Sequence, residues 1–484
     1  MSNNSLYKCV SCDSNDLHSD HTVFLCKNCG SRYPLIDHIP IFVPNPEAAL
    51  SAYAVDLDGT KQRLRDINNI AEGALTKKKS PSEIRRIEQI LSGTTSNIRF
   101  LDQQFSEILN CLRDKDIEGH LLSWASVQTG LSFHDMLIYF YQDWFGNKEF
   151  QKVTSFFCEA VENYSPDRHS LAVLGAGACG LVYGMSRYFH NSYGVDLGLP
   201  ALLAAKRLIS GDPLTFHLEQ ANWKQISLTP PPLSPNNIHF TTANVMNLPF
   251  KDNSLSTVAT QCVLDVLGDP LYFAEEVHRV LRVRGIWINF SHPTNTNEDQ
   301  SELGSRSLDE FVDLAEDSGF KARSTKKMRF KFLNLEAIDP SAAVTDSEVW
   351  CFVLENTGPP NRDFNCTRKR ELFRSKPEAL WPEVPRIVGR RQPTLSYGKT
   401  FSSHGTSEQS TLSVMGYSLD IPLEYARYLE SLLTHVDGKA TFSDIYEKLC
   451  SEGGSLSELD FLRLMQCLSV DHYLIDFSYG QNGS

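Results

Sequence analysis

LAVLGAGACGLVYGMSRYFHNSYGVD, residues 171–196, sets the frame for the whole chain. Leu171–Leu174 reads as a short buried strand. Gly175, Ala176, Gly177 and Gly180 make a tight turn into an amphipathic helix, and Tyr193–Val195 reads as a second strand that ends at Asp196. Glycines at the turn let a backbone approach a ligand closely. An acid at the tip of the next strand can accept both hydroxyls of a ribose. Alone the pattern suits more than one nucleotide ligand, and a turn without any ligand is the plain alternative.

A second block narrows the choice. IHFTTANVMNLPFKDNSLSTVATQCVLDVLGDPLYFAEEVHRVLRVRGIWINFSHP covers residues 238–293. It reads as a strand, a Leu-Pro-Phe turn with an Asp252-Asn253 corner, a strand over Thr257–Thr260, a helix with His278 and Arg279, a turn at Gly285 and a strand over Ile286–Phe290. This order and its central Leu-Pro-Phe run resemble class I S-adenosylmethionine-dependent methyltransferases. The resemblance implies a Rossmann-like α/β core with S-adenosylmethionine as cofactor. It places Gly175, Ala176, Gly177, Gly180 and Asp196 along the cofactor, with Asn244, Val245 and Cys262 beside it. The departures are Asn244 and Ser256 where the family usually has Asp, and Arg284-Gly285 where it has Gly-Gly. Asn244 still offers donors and an acceptor to an adenine edge.

Gly-Ile-Trp-Ile-Asn at 285–289 is also similar to the carnosine N-methyltransferase family. Asp143-Trp144 resembles an Asp-Trp pair of that family's preceding helices, although the Arg before it is Gln142 here. Leu264-Asp265 resembles its Leu-Asp after the fourth strand, and SLDEFVDLAEDSGFKA with VWCFVLEN its late helix and closing strand. The resemblance runs with gaps from Tyr141 to Asn356. It implies a carboxylate, Asp265, that faces the acceptor. Methyl transfer from a sulfonium asks mostly for in-line positioning of a lone pair. Asp265 suits orienting an imidazole N–H or pairing an ammonium, and His292 suits taking a proton. Their plain alternatives are a helix N-terminal acid and a surface-loop histidine.

Four of the twelve cysteines fall within YKCVSCDSNDLHSDHTVFLCKNCGSRYPLIDHIPIFVP, residues 7–44. Cys9-x-x-Cys12 and Cys26-x-x-Cys29 each present two sulfurs from one turn, and two such knuckles complete the closed tetrahedral site of structural Zn²⁺. So short a module also needs a staple to stay folded. Tyr33, Pro34, Asp37, Ile39 and Pro40 match the run that follows the second knuckle in the zinc ribbon that activates tRNA and translation-factor methyltransferases. That resemblance implies a stabilising or docking module, with structural zinc. The other eight cysteines are scattered singly, as reduced thiols are.

Five regions are expected: a zinc ribbon at 1–46, a helical region or lid at 47–150, the methyltransferase domain at 151–358, a Pro- and Ser-rich linker at 359–410, and a winged-helix-like module at 411–484. Within the second, PSEIRRIEQILSG predicts a helix that stops at Gly93. The aromatic run YFYQDWFGN (139–147) reads first as core packing between helices; a lid that brings Trp144 to the ligand is the sharper alternative. In the last, three amphipathic helices are expected, with Thr441 and Ser455 as N-caps and a closing strand at Tyr473–Phe477. The order resembles winged helices, notably the leader-peptide-binding modules of ribosomal-peptide modification systems, which bind by strand addition. Dimerisation or lid support is the alternative there.

A formal net charge of −13 disfavours nucleic acid, whose phosphates need clustered Lys and Arg. Lys77-Lys78-Lys79 and Arg368-Lys369-Arg370 read as solvated spots. No stretch has the length of a membrane span, and the N-terminus lacks a basic start followed by an apolar segment, so a cytoplasmic location is expected. The expected partners are a small-molecule or peptide substrate and a protein or peptide at the C-terminal module. The first reading is therefore an N-methyltransferase of an amine or imidazole. An RNA methyltransferase is second, disfavoured by charge and by Cys262-Val263-Leu264-Asp265 in place of a base-clamping Asn-Pro-Pro-Tyr. A non-catalytic subunit is third, disfavoured by the intact glycine turn and Asp196.

Overall fold

The N-terminal ribbon and the nucleotide fold share one continuous sheet. A computed structural model describes residues 6–110 except 45, 133–232 except 146 and 147, 235–293 except 266, 268 and 269, 307–332, 345–359, and parts of 380–476. The ribbon contributes β1 (Leu17–Ser19), β2 (Val23–Cys26), β3 (Arg32–Ile36) and β4 (Ile39–Phe42). Helices α1 (Pro46–Leu75), α2 (Pro81–Gln104), α3 (Ser106–Asn110), α4 (Phe133–Trp144) and α5 (Lys148–Tyr164) follow. The nucleotide fold then alternates: β5 (Ser170–Leu174), α6 (Gly180–Ser186), β6 (Asn191–Asp196), α7 (Leu199–Ser210), a hairpin of β7 (Leu214–Leu218) and β8 (Lys224–Leu228), β9 (Ile238–Ala243), β10 (Leu255–Gln261), α8 (Pro270–Val280), β11 (Leu281–Ser291), α9 (Leu308–Asp317), β12 (Phe320–Phe332) and β13 (Thr345–Asn356).

The sheet order is β1-β2-β3-β4-β9-β6-β5-β10-β11-β13-β12. Strands β9, β6, β5, β10 and β11 are parallel, and β13 runs antiparallel between β11 and β12. Strand order reverses between β5 and β10, so the ligand crevice of such a sheet lies at their carboxyl ends. The central strands are buried on both faces, as expected for a parallel sheet covered on both sides. Leu171 and Val173 point into one core with α1, α2, α4, α5, α6 and α7; Ala172 and Leu174 point into the other with α8, α9 and the ribbon.

The ribbon joins through backbone and rings together. Strand β4 pairs in parallel with the edge strand β9, Ile41 against Thr242 and Phe42 against Ala243. Asp37 and His38 both have positive φ, the two-residue hairpin geometry that suits Asp, and Asp37 then pairs with Lys206 of α7 at 2.8 Å. Tyr7 packs against Phe250 (5.6 Å between centroids), Phe42 (4.9 Å) and Tyr193 (6.1 Å), and its hydroxyl meets Thr241 Oγ1 at 2.8 Å. Pro249 O accepts the Lys8 N–H at 2.7 Å. The Leu-Pro-Phe turn therefore doubles as the ribbon's seat.

Two sequence expectations are corrected here. Gly93 does not end a helix: α2 opens on a Ser80–Glu83 capping box but continues to Gln104. A Cβ at Gly93 would lie 3.0 Å from the Trp223 ring, so glycine there admits the β7–β8 hairpin. The stretch read as a linker holds β14 (Arg386–Ile387), β15 (Thr394–Ser402) and most of β16 (Gly405–Val414), which with β17 (Tyr417–Ile421) makes an antiparallel three-stranded sheet. Further on, α10 (Phe442–Ser451) starts from Thr441, whose hydroxyl accepts the Asp444 N–H at 3.1 Å. Helix α11 (Glu458–Gln466) follows, and a two-residue β18 (Ile475–Asp476) pairs with β14. Ser455 lies outside the described residues.

Candidate active site

The glycine turn leaves β5 with Gly175 at φ +65°, and a Cβ on it would stand 2.4 Å from Val263 Cγ2. Both the left-handed backbone and the contact require glycine. Gly175→Ala is expected to cost about 1–3 kcal/mol through strain and to abolish cofactor binding; thermal unfolding and ligand titration check both. Ala176 N donates to Val195 O at 3.0 Å, which ties the turn to β6. Asp196 accepts the Gly177 N–H at 2.8 Å and the Gly198 N–H at 2.7 Å. Each carboxylate oxygen keeps a second lone pair, so the ribose role remains chemically open to it. Burial raises its pKa, against the pull of those N–H groups.

Asn244 follows β9 and accepts the Met246 N–H on Oδ1 at 2.9 Å. Its side-chain NH₂ has no hydrogen-bond partner among the described residues and is available to donate. Val245 is half-buried beside it. Asn247 reaches the ribbon, donating to Val10 O at 3.2 Å. Cys262 sits past the end of β10 with φ +53° and its N–H on Phe290 O at 2.8 Å. Burial, then the charges of Asp265 and Asp143, drive its thiol pKa well up.

Helix α4 closes the site from above. It is buried nearly all round, yet Asp135, Met136, Tyr139, Asp143 and Trp144 are only half-buried. Met136 Cε lies 3.5 Å from where a Cβ of Gly177 would be, and Asp143 Oδ2 accepts the Gly180 N–H at 3.1 Å. Tyr139 feels the charges of Cys262, Asp265 and Asp135, which add to burial in raising its pKa. Trp144 packs on Tyr183 and donates its indole N–H to Ala178 O at 2.8 Å, so it braces the turn. Within the aromatic run Phe140 and Tyr141 are buried core, while Tyr139, Asp143 and Trp144 are half-buried, as is Met136 one turn before the run.

Asp265 stands in the loop after β10, and its Oδ1 is buried with no hydrogen-bond partner among the described residues. Burial raises its pKa, while His292 acts in the opposite direction. His292 follows β11 and stacks on Phe332 of β12, ring centroids 4.0 Å apart. His292 thus acts on Asp265 through its charge, and Asp265 in turn acts on Tyr139 of α4. Ser256 is accounted for by packing: Ser256 Oγ donates to Ser170 O at 2.7 Å and accepts the Ser170 N–H at 2.9 Å, which seals β10 to β5. A cradle that excludes any Cβ and an orphaned carboxylate oxygen fit a nucleotide-type ligand that carries positive charge.

The four ribbon cysteines converge as spaced. Their sulfurs all lie within 4.8 Å of one another, with Cys9–Cys29 and Cys12–Cys26 at 3.6 Å. The knuckles repeat each other: Asp13 N–H and Gly30 N–H return to Cys9 O and Cys26 O at 2.9 Å, and both turn residues are left-handed. The Tyr33 hydroxyl meets Cys9 Sγ at 3.0 Å, a contact that would orient Cys9 toward a metal held by the four sulfurs.

Residues 172–289, about a quarter of the chain, match the model of a family described as "Methyltransferase domain". No curated protein matches. Among solved structures, a S-adenosylmethionine-dependent methyltransferase of Methanosarcina mazei is 14% identical over 40% of this chain and 96% of its own, with TM-score 0.31. The [4+2]-cyclase SpnF is 13% identical over 47% and 93%, TM-score 0.33. The Bacillus YcgJ protein is 14% identical over 42% and 97%, TM-score 0.29. Among the described residues no helix is long and apolar enough to cross a membrane. Over residues 172–289 the chain therefore carries the pattern of a methyltransferase domain.

Proposed function

We propose that the protein transfers a methyl group to a nitrogen of an amine or imidazole, borne by a small molecule or a peptide, with Zn²⁺ held by Cys9, Cys12, Cys26 and Cys29. The observation that carries the acceptor class is the orphaned Asp265 Oδ1 beside His292. A buried carboxylate oxygen without a donor is costly to maintain, and an acceptor N–H or ammonium supplies the missing donor. Bound S-adenosylmethionine supplies an electrophilic methyl group. The glycine turn, Asp196 and Asn244 hold and orient that ligand. Asp265 holds the acceptor nitrogen with its lone pair directed inward, and His292 takes the proton that an amine must lose. The C-terminal module suits a peptide or protein partner.

The test is transfer of labelled methyl from S-adenosylmethionine to a panel of amines, imidazoles and host extract separated by size. Asp265→Asn is expected to lower kcat/KM by about a hundredfold or more while leaving S-adenosylmethionine affinity within about threefold. Unchanged turnover in that variant would remove Asp265 from the acceptor site.

One observation favours the RNA reading. Strand β12 carries Lys321, Arg323, Lys326, Lys327, Arg329 and Lys331, and its last residue stacks on His292. Three of the six are already paired with Glu355, Glu348 and Asp346 of β13. A cross-strand charge ladder on an edge strand accounts for half of them, and with the net charge of −13 the small acceptor is preferred. Nuclease-sensitive label in the large fraction would reverse that order.

A further inference from the structure

We infer that Asp143 is a further cofactor-binding residue, its carboxylate facing the positive charge that S-adenosylmethionine carries and its demethylated product lacks. The inference rests on the methyltransferase reading above. Asp143 is wedged against the cofactor turn from α4: a Cβ at Gly180 would lie 2.7 Å from Asp143 Cβ and 2.9 Å from its Oδ2. It accepts the Gly180 N–H at 3.1 Å, Phe150 of α5 lies against the same glycine, and its charge reaches Cys179 at the start of α6 and Cys262 after β10. None is a cation. Its negative charge adds to burial in pushing up both thiols, so neither thiol offsets it.

Capping the Gly180 N–H needs only a neutral oxygen, which Asn or Ser provides. A charged oxygen, buried, with no Lys, Arg or His paired to it among the described residues, is an expensive way to do the same work. Asp196 and Asp265 border the same turn and likewise have no Lys or Arg partner among the described residues. A ligand that arrives with its own cation offsets Asp143, while Asp196 is left to ribose hydroxyls and Asp265 to the acceptor nitrogen. Burial, against the pull of the Gly180 N–H, pushes the Asp143 carboxyl up to about 7. A cation beside it draws that value down, so binding below about pH 7 releases a proton and affinity falls as pH drops. Once the methyl has left, the neutral product no longer offsets the carboxylate, which favours its departure.

The experiment is calorimetric titration of the full chain, wild type and Asp143→Asn, with S-adenosylmethionine and with S-adenosylhomocysteine. Asn keeps the oxygen for Gly180 and loses the charge. S-adenosylmethionine is expected to bind the variant on the order of tenfold to a hundredfold more weakly, and S-adenosylhomocysteine within about threefold. Between pH 8 and pH 6 the wild type is expected to lose about tenfold more affinity for S-adenosylmethionine than the variant does, with proton release measured in buffers of different ionisation enthalpy. Equal weakening of both ligands would reduce Asp143 to a cap and overturn the inference. A variant that fails to fold leaves the wild-type proton release to decide: its absence overturns the inference as well. Failure of the wild type to bind either ligand would instead overturn the methyltransferase reading.

Discussion

Arg279→Leu is expected to destabilise the nucleotide fold by about 3–5 kcal/mol, the cost of leaving a buried charge unpaired. Arg279 projects from α8 with a side chain only 9% exposed, and pairs with Glu276, 1% exposed, at 2.7 Å. The guanidinium also donates to Phe250 O at 2.8 Å and Leu248 O at 3.1 Å, and Glu276 Oε1 accepts the Leu248 N–H at 2.6 Å. Two side chains of one helix turn thus hold the Leu248 N–H and the Leu248 and Phe250 carbonyls of the Leu-Pro-Phe turn. Removing the cation strands both the carboxylate and two carbonyls. Asp252 pairs with the same guanidinium at 2.6 Å but is 63% exposed, so Asp252→Asn is expected to cost less than about 1 kcal/mol. Native-state hydrogen exchange at β9 and β10 amides reads both variants. The double change Glu276→Leu with Arg279→Met is expected to recover most of the loss, since no buried charge then remains. Equal, small effects from Arg279→Leu and Asp252→Asn would show that the clamp contributes little.

What could be read from the sequence was local. The turn from Gly175 to Asp196 and the two cysteine knuckles each specify their geometry within a few residues, and both lie where expected. The carboxyl ends of β5, β6 and β10 were legible for the same reason, since each follows a short apolar run into a glycine, an acid or Cys262. What was missed is nonlocal. Nothing near Ile41 announces that it pairs with Thr242, and nothing near Gly93 announces the ring of Trp223. Strands β15 and β16 were hidden by composition, because Ser, Thr and Gly outnumber apolar residues along them and read as a connection. The half-buried residues of α4 were obscured by the aromatics around them. Phe140 and Tyr141 are core, Tyr139 and Asp143 are not, and only the orientation of the helix separates them.

Replacing Cys26 with Ser, or withdrawing zinc with a chelator, is expected to unfold the ribbon and to weaken S-adenosylmethionine binding by at least about tenfold. A Zn–S distance of about 2.3 Å gives a tetrahedron with edges of about 3.8 Å, and the sulfurs stand close to that arrangement without being bonded to one another. The ribbon's strands are three to five residues long, too little for an independent core, so metal affinity is in large part its folding free energy. The loss would not stop at the ribbon. Lys8, Val10 and Tyr7 hold Pro249, Asn247 and Thr241, and these residues flank Asn244 in the chain. Hydrogen exchange is expected to rise through β1–β4 and at β9, the strand left as a bare edge, while β11 and β13 at the far end keep their protection. Elemental analysis is expected to give one zinc per chain in the wild type and less in Cys26→Ser. Wild-type protein free of zinc but fully protected at β1–β4 would sink the proposal. Loss of ribbon protection with unchanged cofactor affinity would separate the two modules and confine zinc to stabilising its own fold.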